Sequence, residues 1–289
     1  MKSVKKAIIT DAGFASRYLP ITKTIPKAMI PIGAKPVMQF CVEECAAAGI
    51  EEIIIVATPN TKSKEIYEDY FHNPATNVKT LLDKQGKSER FAPVEEILNF
   101  PKITVIEQDP NLPYGNGSPI VSAKSFVENE DAFVVLYSDD LILGASDVKT
   151  LIDEYNNHPE AKAVITAQEM PEETWCKYGM IALKNDGTLS HIVEKPQAPE
   201  LSPSNLTSYG RYLLTPEVFD YLLPKNTGLD GELWTVDAIT KLAETGDVVV
   251  ARSQGKWITT GDPKNYFMAH LEYVLSETNY GEDIKKMLQ

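Results

Sequence analysis

The sequence predicts an α/β fold in which helices and a mixed, mostly parallel central sheet form three layers, with antiparallel hairpins in the C-terminal half. Up to about residue 175, apolar runs of strand length alternate with segments of helical periodicity, as in successive βαβ units. Beyond that point, short strand-like segments flank turn signals such as Asn185-Asp186-Gly187, which are typical of antiparallel pairing. The first half therefore supplies the parallel strands, and the second half supplies the hairpins.

The strands are predicted from apolar runs bounded by turn residues. Glu52–Thr58 is continuously apolar, as expected for a strand covered by helices on both faces. The last two strands flank Ser253-Gln254-Gly255, which predicts that they pair with each other as a hairpin. The predicted strands are Lys6–Thr10, Glu52–Thr58, Ile103–Gln108, Ala132–Tyr137, Ala163–Glu169, Tyr178–Leu183, Leu189–Glu194, Ser208–Leu214, Asp247–Arg252 and Trp257–Thr259.

The helices are predicted from apolar faces and end signals. Gly49 is placed to cap the first helix, and the last helix opens with Asp262 as N-cap and Pro263 at its first position. Two segments, Asn73–Phe100 and Gln197–Asn205, are predicted as loop-like insertions. The predicted helices are 35–49, Ser63–Phe71, Gly117–Phe126, Ser146–Asn156, Pro216–Leu223, Trp234–Thr245 and a C-terminal helix from Pro263.

Charge and cysteine content narrow the possible functions and compartment. The chain has 28 Lys+Arg against 41 Asp+Glu, a net charge of −13, which argues against binding to duplex nucleic acid but leaves small anions open. Cys41 and Cys45 lie one helical turn apart, but no further Cys or His completes a metal site, so buried thiols are favoured. The apolar run near the N-terminus is too short for a signal peptide, and no segment has the length of a membrane span, which predicts a cytoplasmic protein.

The first candidate site is the loop after the first strand, Thr10–Arg17, followed by Pro26-Lys27. Backbone N–H groups of such a small-residue loop can hold phosphates, with Arg17 and Lys27 adding positive charge. An ordinary turn between a strand and a helix is the alternative. A dinucleotide-binding fingerprint is absent, because only Gly13 stands where three glycines are needed, so a nicotinamide-dependent dehydrogenase is disfavoured.

Several further motifs follow this loop in a fixed order along nearly the whole chain. Together they resemble the signature of sugar-1-phosphate nucleotidylyltransferases, in particular the bacterial UTP–glucose-1-phosphate uridylyltransferases. The motifs are Gly13 with Arg17, Pro26-Lys27, Lys35-Pro36-Val37, Gln108 before Gly115-Asn116-Gly117, Asp139-Asp140, Lys177-Tyr178-Gly179, Glu194-Lys195-Pro196, Ser204-Asn205-Leu206, Gly210-Arg211-Tyr212, and Gly231-Glu232-Leu233 before Asp237.

The resemblance implies a Rossmann-like nucleotide-binding fold in one domain, 1–289. It divides into a nucleotide-binding half to about 175, a sugar-binding half over about 176–262, and a C-terminal helical segment, 263–289, with an intersubunit role in a dimer or tetramer. The residues implied to bind nucleotide are Ala12, Gly13, Phe14, Ser16, Gln108 and Gly115. Gly179, Glu194 and Lys195 are implied to bind the sugar.

The chemistry of nucleotidylyl transfer is consistent with these roles. The attacking phosphate oxygen of a sugar-1-phosphate is already ionised, so the site must mainly align two phosphates and balance their charge. We expect the catalytic cations to be Arg17 and Lys27 for the triphosphate and Lys195 for the sugar phosphate. Asp139, at the carboxyl end of a strand, is predicted to hold Mg²⁺, although a turn-capping role is the alternative, and Asp140 is expected to be structural.

Four positions depart from the family pattern. Asp11 and Ala28 stand where the family usually has Ala and Glu, and Ala15 replaces the second glycine of the phosphate loop. Thr259 stands where the family has a second carboxylate for Mg²⁺. From the ordered motifs we nevertheless expect transfer of a nucleotide, with UTP as the leading candidate, to a hexose-1-phosphate, with glucose-1-phosphate as the leading candidate. The alternative is a catalytically weakened homologue that binds nucleotide sugar as a regulatory or partner subunit.

Overall fold

A computed structural model describes residues 3–228, 231–287 and 289. Within them, a nine-stranded mixed sheet runs in the order β10-β9-β11-β6-β1-β4-β5, with β8 on the other side of β11 and β12 paired to β8. Two small antiparallel pairs, β2 with β3 and β13 with β7, lie apart from this sheet. The strands are β1 Lys6–Asp11, β2 Pro31–Ile32, β3 Lys35–Pro36, β4 Glu52–Ala57, β5 Lys102–Glu107, β6 Phe133–Tyr137, β7 Asp140–Leu143, β8 Ala163–Glu169, β9 Gly179–Leu183, β10 Leu189–Glu194, β11 Leu206–Leu214, β12 Val248–Arg252 and β13 Lys256–Thr259.

The helices lie on both faces of this sheet, and the last two helices form the C-terminal segment of the chain. No helix among the described residues combines the length and apolar character needed to cross a membrane. The helices are α1 Val37–Ala47, α2 Ser63–His72, α3 Thr76–Lys84, α4 Ala92–Leu98, α5 Ser118–Ser122, α6 Lys124–Val127, α7 Asp147–Asn157, α8 Thr235–Thr245, α9 Pro263–Glu277 and α10 Gly281–Met287.

The predicted fold class is confirmed, and its parallel core positions the site. Strand β1 pairs in parallel with both β4 and β6, and β4 pairs in parallel with β5. The apolar residues of β1, β4 and β6 are fully buried, so the sheet is covered on both faces as their composition predicts. Because parallel strands end at the same edge, the loops after β6, β1, β4 and β5 meet there.

The pairing predicted for the last two strands is wrong. Although β9 and β10 form the predicted antiparallel hairpin, β12 pairs in parallel with β8, and β13 pairs antiparallel with β7. The crossover through α8 brings β12 to the open edge of β8, where Val248 and Ala251 become buried. The turn signal at Ser253-Gln254-Gly255 is local, so it could not show that β12 would pair with β8 and β13 with β7, which are both distant in sequence.

Three smaller predictions also need correction. The predicted loop Asn73–Phe100 contains α3 and α4, which bury none of their residues, although Val78, Leu81 and Leu82 recur at helical spacing on α3. The predicted helix Gly117–Phe126 consists of the two short helices α5 and α6. The predicted helix Pro216–Leu223 is a 3-10 turn over Pro216–Asp220. The other insertion, Gln197–Asn205, contains only the short 3-10 turn Pro199–Leu201.

The predicted helix ends are confirmed in detail. Gly49 has a φ of +86°, its N–H donates to the Ala46 carbonyl at 3.1 Å, and the Ile50 N–H donates to the Cys45 carbonyl at 3.1 Å, the two bonds of a Schellman motif. At the start of α9, the Asp262 carboxylate accepts a hydrogen bond from the Asn265 N–H at 3.0 Å. Asp262 is therefore occupied as a helix cap.

Candidate active site

A cavity of about 350 Å³ lies at the sheet edge where β6, β1, β4 and β5 end. It contains five of the six residues predicted to bind nucleotide, together with Lys27 and Asp139. Such crevices at the carboxyl ends of parallel strands are the usual ligand sites of open α/β sheets. The lining is formed by Thr10, Asp11, Ala12, Gly13, Phe14, Ala15, Lys27, Pro59, Gln108, Tyr114, Gly115, Asn116, Pro119, Tyr137, Ser138, Asp139, Glu232 and Trp234.

Lys27 and Asp139 form an ion pair in this cavity, with Lys27 Nζ 2.7 Å from Asp139 Oδ2. Burial by itself would raise the pKa of Asp139, but the Lys27 ammonium outweighs it and holds that pKa below its usual range. Burial likewise tends to lower the pKa of Lys27, and the charge of Asp139 raises it overall. Both groups therefore carry their charges at neutral pH, and the ammonium is available to a phosphate that enters the cavity.

Asp11, one of the departures from the family pattern, is a buried carboxylate beside this pair. Its Oδ1 accepts a hydrogen bond from Ser138 Oγ at 2.9 Å, and its Oδ2 accepts one from the Tyr67 hydroxyl. Burial raises the pKa of Asp11, partly countered by Lys27. The two hydrogen bonds fix this carboxyl group in place. Asp11 therefore acts on Lys27 in the same direction as Asp139, because the charges of both carboxylates raise the pKa of Lys27.

The loop after β1 has a strained backbone at the position of the missing glycine. Ala15 adopts the left-handed conformation with φ +46° and ψ +45°, which costs a residue with a Cβ about 1–2 kcal/mol. The Ala15 carbonyl accepts hydrogen bonds from the Tyr18 N–H and from Thr22 Oγ1, both at 3.0 Å. The loop thus keeps a conformation that glycine adopts freely, and neighbouring contacts hold it there.

Ser16 and Arg17 lie outside the main cavity. Ser16 lines a neighbouring cavity of about 310 Å³, which shares Gly13 and Lys27 with the first. Arg17 is exposed, and its Nη1 lies 3.5 Å from the Gly261 carbonyl oxygen. The structure therefore places both predicted residues at the margin of the site, Ser16 toward the end of β4 and Arg17 toward the end of β13.

The loop around Gly115, which is predicted to lie close to the base, is held by contacts with the segment before α8. Gly115 has a φ of +130°, and a Cβ at this position would overlap the Leu233 backbone. The Leu233 N–H donates to the Tyr114 carbonyl at 2.7 Å, and the Gly117 N–H donates to the Leu233 carbonyl at 2.9 Å. Glycine is therefore required at position 115 for both its backbone conformation and this close approach.

The residues predicted to bind sugar cluster together beside the cavity. Gly179 pairs with Glu194 across β9 and β10, and a Cβ at Gly179 would lie 2.9 Å from the Glu194 carboxylate. Lys195 Nζ lies 3.6 Å from Glu194 and 4.9 Å from the centroid of the Trp234 ring. Burial raises the pKa of Glu194, and the charge of Lys195 opposes this shift. Trp234 also lines the cavity, so it connects this cluster to the nucleotide side.

Thr259 lies beside Asp139, because β13 pairs with β7 directly after the Asp139 turn. The Thr260 N–H donates to the Asp139 carbonyl at 2.5 Å. A Cβ added to Gly261 would lie 3.2 Å from Thr259 Oγ1 and 3.3 Å from Asp139 Oδ2, so these two oxygens border the same small space. Thr259 Oγ1 itself accepts a hydrogen bond from the Gly261 N–H at 3.1 Å. A neutral hydroxyl thus faces the same space as the Asp139 carboxylate.

Asp140 is part of the framework behind the site, as expected. Its carboxylate accepts hydrogen bonds from Trp257 Nε1 at 2.7 Å and from the Gly210 N–H at 3.1 Å, and burial together with Asp139 raises its pKa to about 7. The guanidinium of Arg211, from the Gly210-Arg211-Tyr212 motif, donates to the carbonyls of Tyr137 and Asp140. These contacts fix the turn that carries Asp139.

Sequence reasoning assigned no role to several lining residues, among them Pro59, Tyr114, Tyr137 and Ser138. Tyr137 and Ser138 directly precede Asp139, and Tyr114 directly precedes Gly115, so adjacency to a predicted ligand was an available signal. Tyr67 carried no such signal, because it lies on the buried face of α2 and reaches the site only through Asp11. Trp234, at the start of α8, contacts Lys195 and lines the cavity.

Comparison with known proteins identifies the family. The UTP–glucose-1-phosphate uridylyltransferases of Staphylococcus epidermidis and Bacillus subtilis (strain 168) are each 35% identical over 294 aligned residues, covering 100% of this chain and 99% and 97% of the relatives. A UTP-bound UDP-glucose pyrophosphorylase from Acinetobacter baumannii superposes with a TM-score of 0.86 at 30% identity, covering 99% of both chains. A UDP-glucose pyrophosphorylase complexed with UDP-glucose superposes with a TM-score of 0.79 at 30% identity, covering 94% of this chain and 98% of the other.

The sequence profile of the Nucleotidyl transferase family matches residues 6–275 of this chain. The match begins with β1, which leads into the phosphate loop, and extends into α9. It therefore spans the whole central sheet and both groups of predicted ligand-binding residues. With this match and with relatives above 30% identity over their full length, the chain belongs to the nucleotidyl transferase family.

Proposed function

We propose that this protein transfers a uridylyl group from UTP to glucose-1-phosphate, releasing pyrophosphate and forming UDP-glucose. The observation that carries the proposal is the cavity itself. It brings the loop after β1, Gln108 and Gly115 together with the ion pair of Lys27 and Asp139. The full-length relatives named for this reaction, and the similar structures with UTP and UDP-glucose, support the same substrates.

The geometry suggests how these residues act on the reactants. Lys27, held in the cavity beside Asp139, meets the triphosphate, where its ammonium balances charge that develops as pyrophosphate departs. Lys195 holds the sugar phosphate, and Glu194 accepts hydrogen bonds from sugar hydroxyls beside Gly179. Arg17, at the margin near Gly261, adds a second cation to the triphosphate. No general base is needed, because the attacking phosphate oxygen is ionised.

The side chains of the cavity could hold Mg²⁺, and the carboxylate of Asp139 is our candidate ligand. Among the described residues, no group of three or more His, Cys, Asp or Glu side chains could hold a metal. Mg²⁺ commonly binds through one or two carboxylates together with substrate phosphates and waters, and Asp139 supplies one such carboxylate. Asp11 and Asp140 already accept hydrogen bonds from protein donors. When bound, the ion would neutralise charge on the reacting phosphates.

The test is pyrophosphate release from UTP and glucose-1-phosphate, with Lys27→Met as the variant. Loss of a preorganised cation should lower turnover about a hundred-fold or more. Lys62→Met is the matched control, because Lys62 is exposed and lies outside both cavities. Absence of turnover with every tested pair of nucleoside triphosphate and sugar-1-phosphate, from folded protein saturated with Mg²⁺, would contradict the proposal.

A second candidate function is a catalytically weakened homologue that binds nucleotide sugar as a regulatory or partner subunit. The strained Ala15 and the hydroxyl of Thr259 beside Asp139 favour it. It predicts calorimetric binding of UDP-glucose with negligible turnover. Thr259→Asp should then strengthen Mg²⁺ binding, with Thr260→Ser as a control at the buried neighbouring position. High activity in the parent together with unchanged Mg²⁺ affinity in Thr259→Asp would exclude this candidate.

The C-terminal segment, 263–289, is our candidate for contact between subunits of a dimer or tetramer. On α9, Phe267 is 68% exposed and Met268 is 55% exposed, and Leu271 lies one turn further along. Association would bury these side chains, which cluster on one helix. Light scattering that gives a monomer at micromolar concentration would contradict this proposal. The cytoplasmic location expected from the sequence stays a prediction.

A further inference from the structure

Two large aromatic rings of the candidate active site are exposed to solvent. Phe14 is 65% exposed and Tyr114 is 64% exposed, and both line the cavity that contains Lys27 and Asp139. Single exposed apolar side chains are ordinary on protein surfaces. Two rings at the mouth of one cavity, from loops distant in sequence, form instead a local apolar surface that a ligand can cover.

The Tyr114 ring stands on a fixed backbone. The Tyr114 carbonyl accepts a hydrogen bond from the Leu233 N–H at 2.7 Å, and Gly115 packs against the same residue. The side chain extends into solvent although its main chain is tied to the segment before α8. Such an exposed ring on an ordered backbone loses little conformational entropy when a ligand covers it.

The backbone on either side of Phe14 is also tied down. The Gly13 carbonyl accepts a hydrogen bond from Thr58 Oγ1 at 3.2 Å, which draws the loop toward the end of β4. On the other side, the left-handed Ala15 is held by hydrogen bonds from Tyr18 and Thr22. The strained loop therefore presents the Phe14 ring to the cavity while its flanking residues stay in place.

The order of the strands places Tyr114 toward the base end of a bound nucleotide, with Phe14 between it and the phosphates. Asp139 follows β6, whereas Gln108 and Tyr114 follow β5, three strands away in the order β6-β1-β4-β5. At a spacing of about 4.8 Å, this separates the two positions by about 14 Å. Phosphates that meet Lys27 near β6 leave the base toward β4 and β5, beside Tyr114 and Gln108. Phe14 follows β1, and its loop is drawn toward the same side by the hydrogen bond between Gly13 and Thr58.

We infer that the Phe14 and Tyr114 rings hold the nucleotide base by contacts with its faces and edges, which add affinity for the base to the hydrogen bonding by Gln108. This inference rests on the proposed function, since it assumes that the cavity takes a nucleoside triphosphate. Every base has a π-face, and burial of one ring against it releases water from both apolar surfaces. The phosphates gain nothing from these rings.

The test compares UTP with inorganic tripolyphosphate by isothermal titration calorimetry, without sugar phosphate. Phe14→Leu and Tyr114→Leu each remove a ring and keep an apolar side chain. Each should weaken UTP binding about five-fold or more, and the double variant should weaken it further. Tyr114→Phe, which keeps the ring, should bind UTP as the parent does. Tripolyphosphate, which has no base, should bind all variants equally.

Three outcomes would overturn the inference: UTP affinity within two-fold of the parent in both ring variants, equal loss of tripolyphosphate binding, or loss of UTP binding in Tyr114→Phe. Because the titration needs no turnover, its result is independent of the kinetic test. Selective loss of UTP binding without activity in the parent would support the ring contacts and contradict the proposed reaction. Normal turnover with unaffected UTP binding would contradict the ring contacts alone.

Discussion

Replacement of Arg211 by methionine should destabilise the protein more than any other single change in the framework behind the site. Arg211 is 1% exposed on β11. Its Nε donates to Glu44 at 3.0 Å, and its terminal nitrogens donate to the carbonyls of Tyr137 at 3.2 Å and Asp140 at 2.8 Å. Methionine fills a similar volume but donates none of these hydrogen bonds.

The magnitude follows from the groups that lose a partner. The Glu44 side chain is 10% exposed, and without Arg211 its carboxylate keeps one protein donor, the Val148 N–H at 3.0 Å. Removal of one member of a buried ion pair typically costs about 3–5 kcal/mol, because the remaining charge stays buried. The two carbonyls lose donors as well. We expect a loss of about 4 kcal/mol from a total stability on the order of 5–15 kcal/mol.

Urea unfolding followed by circular dichroism at low temperature measures this loss. Arg211→Lys, which keeps one charge and fewer donors, should lie between the parent and Arg211→Met. The double variant Arg211→Met with Glu44→Leu should lose less than the two single variants added together, because it leaves no buried carboxylate unpaired. The turn that carries Asp139 should also loosen, which lowers turnover in variants that still fold.

The reasoning would be refuted if Arg211→Met lost less than about 1 kcal/mol, the range of an exposed ion pair. Strict additivity in the double variant would refute it too. In that case the contacts of Arg211 with Glu44 would be dispensable, and the hydrogen bonds of Asp140 and those from Thr260 to the Asp139 carbonyl would be sufficient to hold the turn.

Three further predictions concern the backbone, a helix cap and the thiols. Gly115→Ala should lower the free energy of unfolding in urea by about 2 kcal/mol or more, because it adds a Cβ clash to a φ of +130°. The control Gly86→Ala, which has a φ of +67° and open space around it, should lower it by about 1 kcal/mol. Equal losses in the two variants would contradict this reasoning. Asp262→Ala should cost about 1 kcal/mol through loss of the α9 cap, and Asp262→Asn should cost less, unless the cap contributes nothing. Burial raises the pKa of the Cys41 thiol to about 12, so a thiol reagent at pH 8 should label the half-buried Cys176 first, and early labelling of Cys41 would contradict the fold.

The sequence was sufficient wherever the deciding signal is local. Continuous apolar runs identified the parallel core strands, because strands covered on both faces must be apolar throughout. Gly49 and Asp262 identified helix ends, because a left-handed cap and an Asx cap each need particular residues. The ordered motifs placed Lys27, Asp139 and the loop after β1 in one site, since loops after parallel strands meet at one edge.

The sequence was insufficient wherever the partner of a group is distant. The hairpin expected for β12 and β13 failed because β8 and β7 offered open edges elsewhere in the chain. The surface helices α3 and α4 were predicted as a loop because these short segments bury no residue in the core, although Val78, Leu81 and Leu82 recur at helical spacing on α3. The link from Tyr67 to Asp11 joins residues 56 positions apart, and nothing near either of them indicates it.

The sequence by itself thus determined the fold class, the family and the residues from which the candidate site is built, because these depend on periodicity and on short motifs. Only the tertiary structure decided how those residues are arranged. It paired Lys27 with Asp139, placed Arg17 at the margin of the site, and brought Thr259 beside Asp139. It also left the Phe14 and Tyr114 rings exposed on fixed backbone. The physical reason is that charge pairing, burial and ring exposure depend on which distant surfaces meet, and this is set by the packing of the whole sheet.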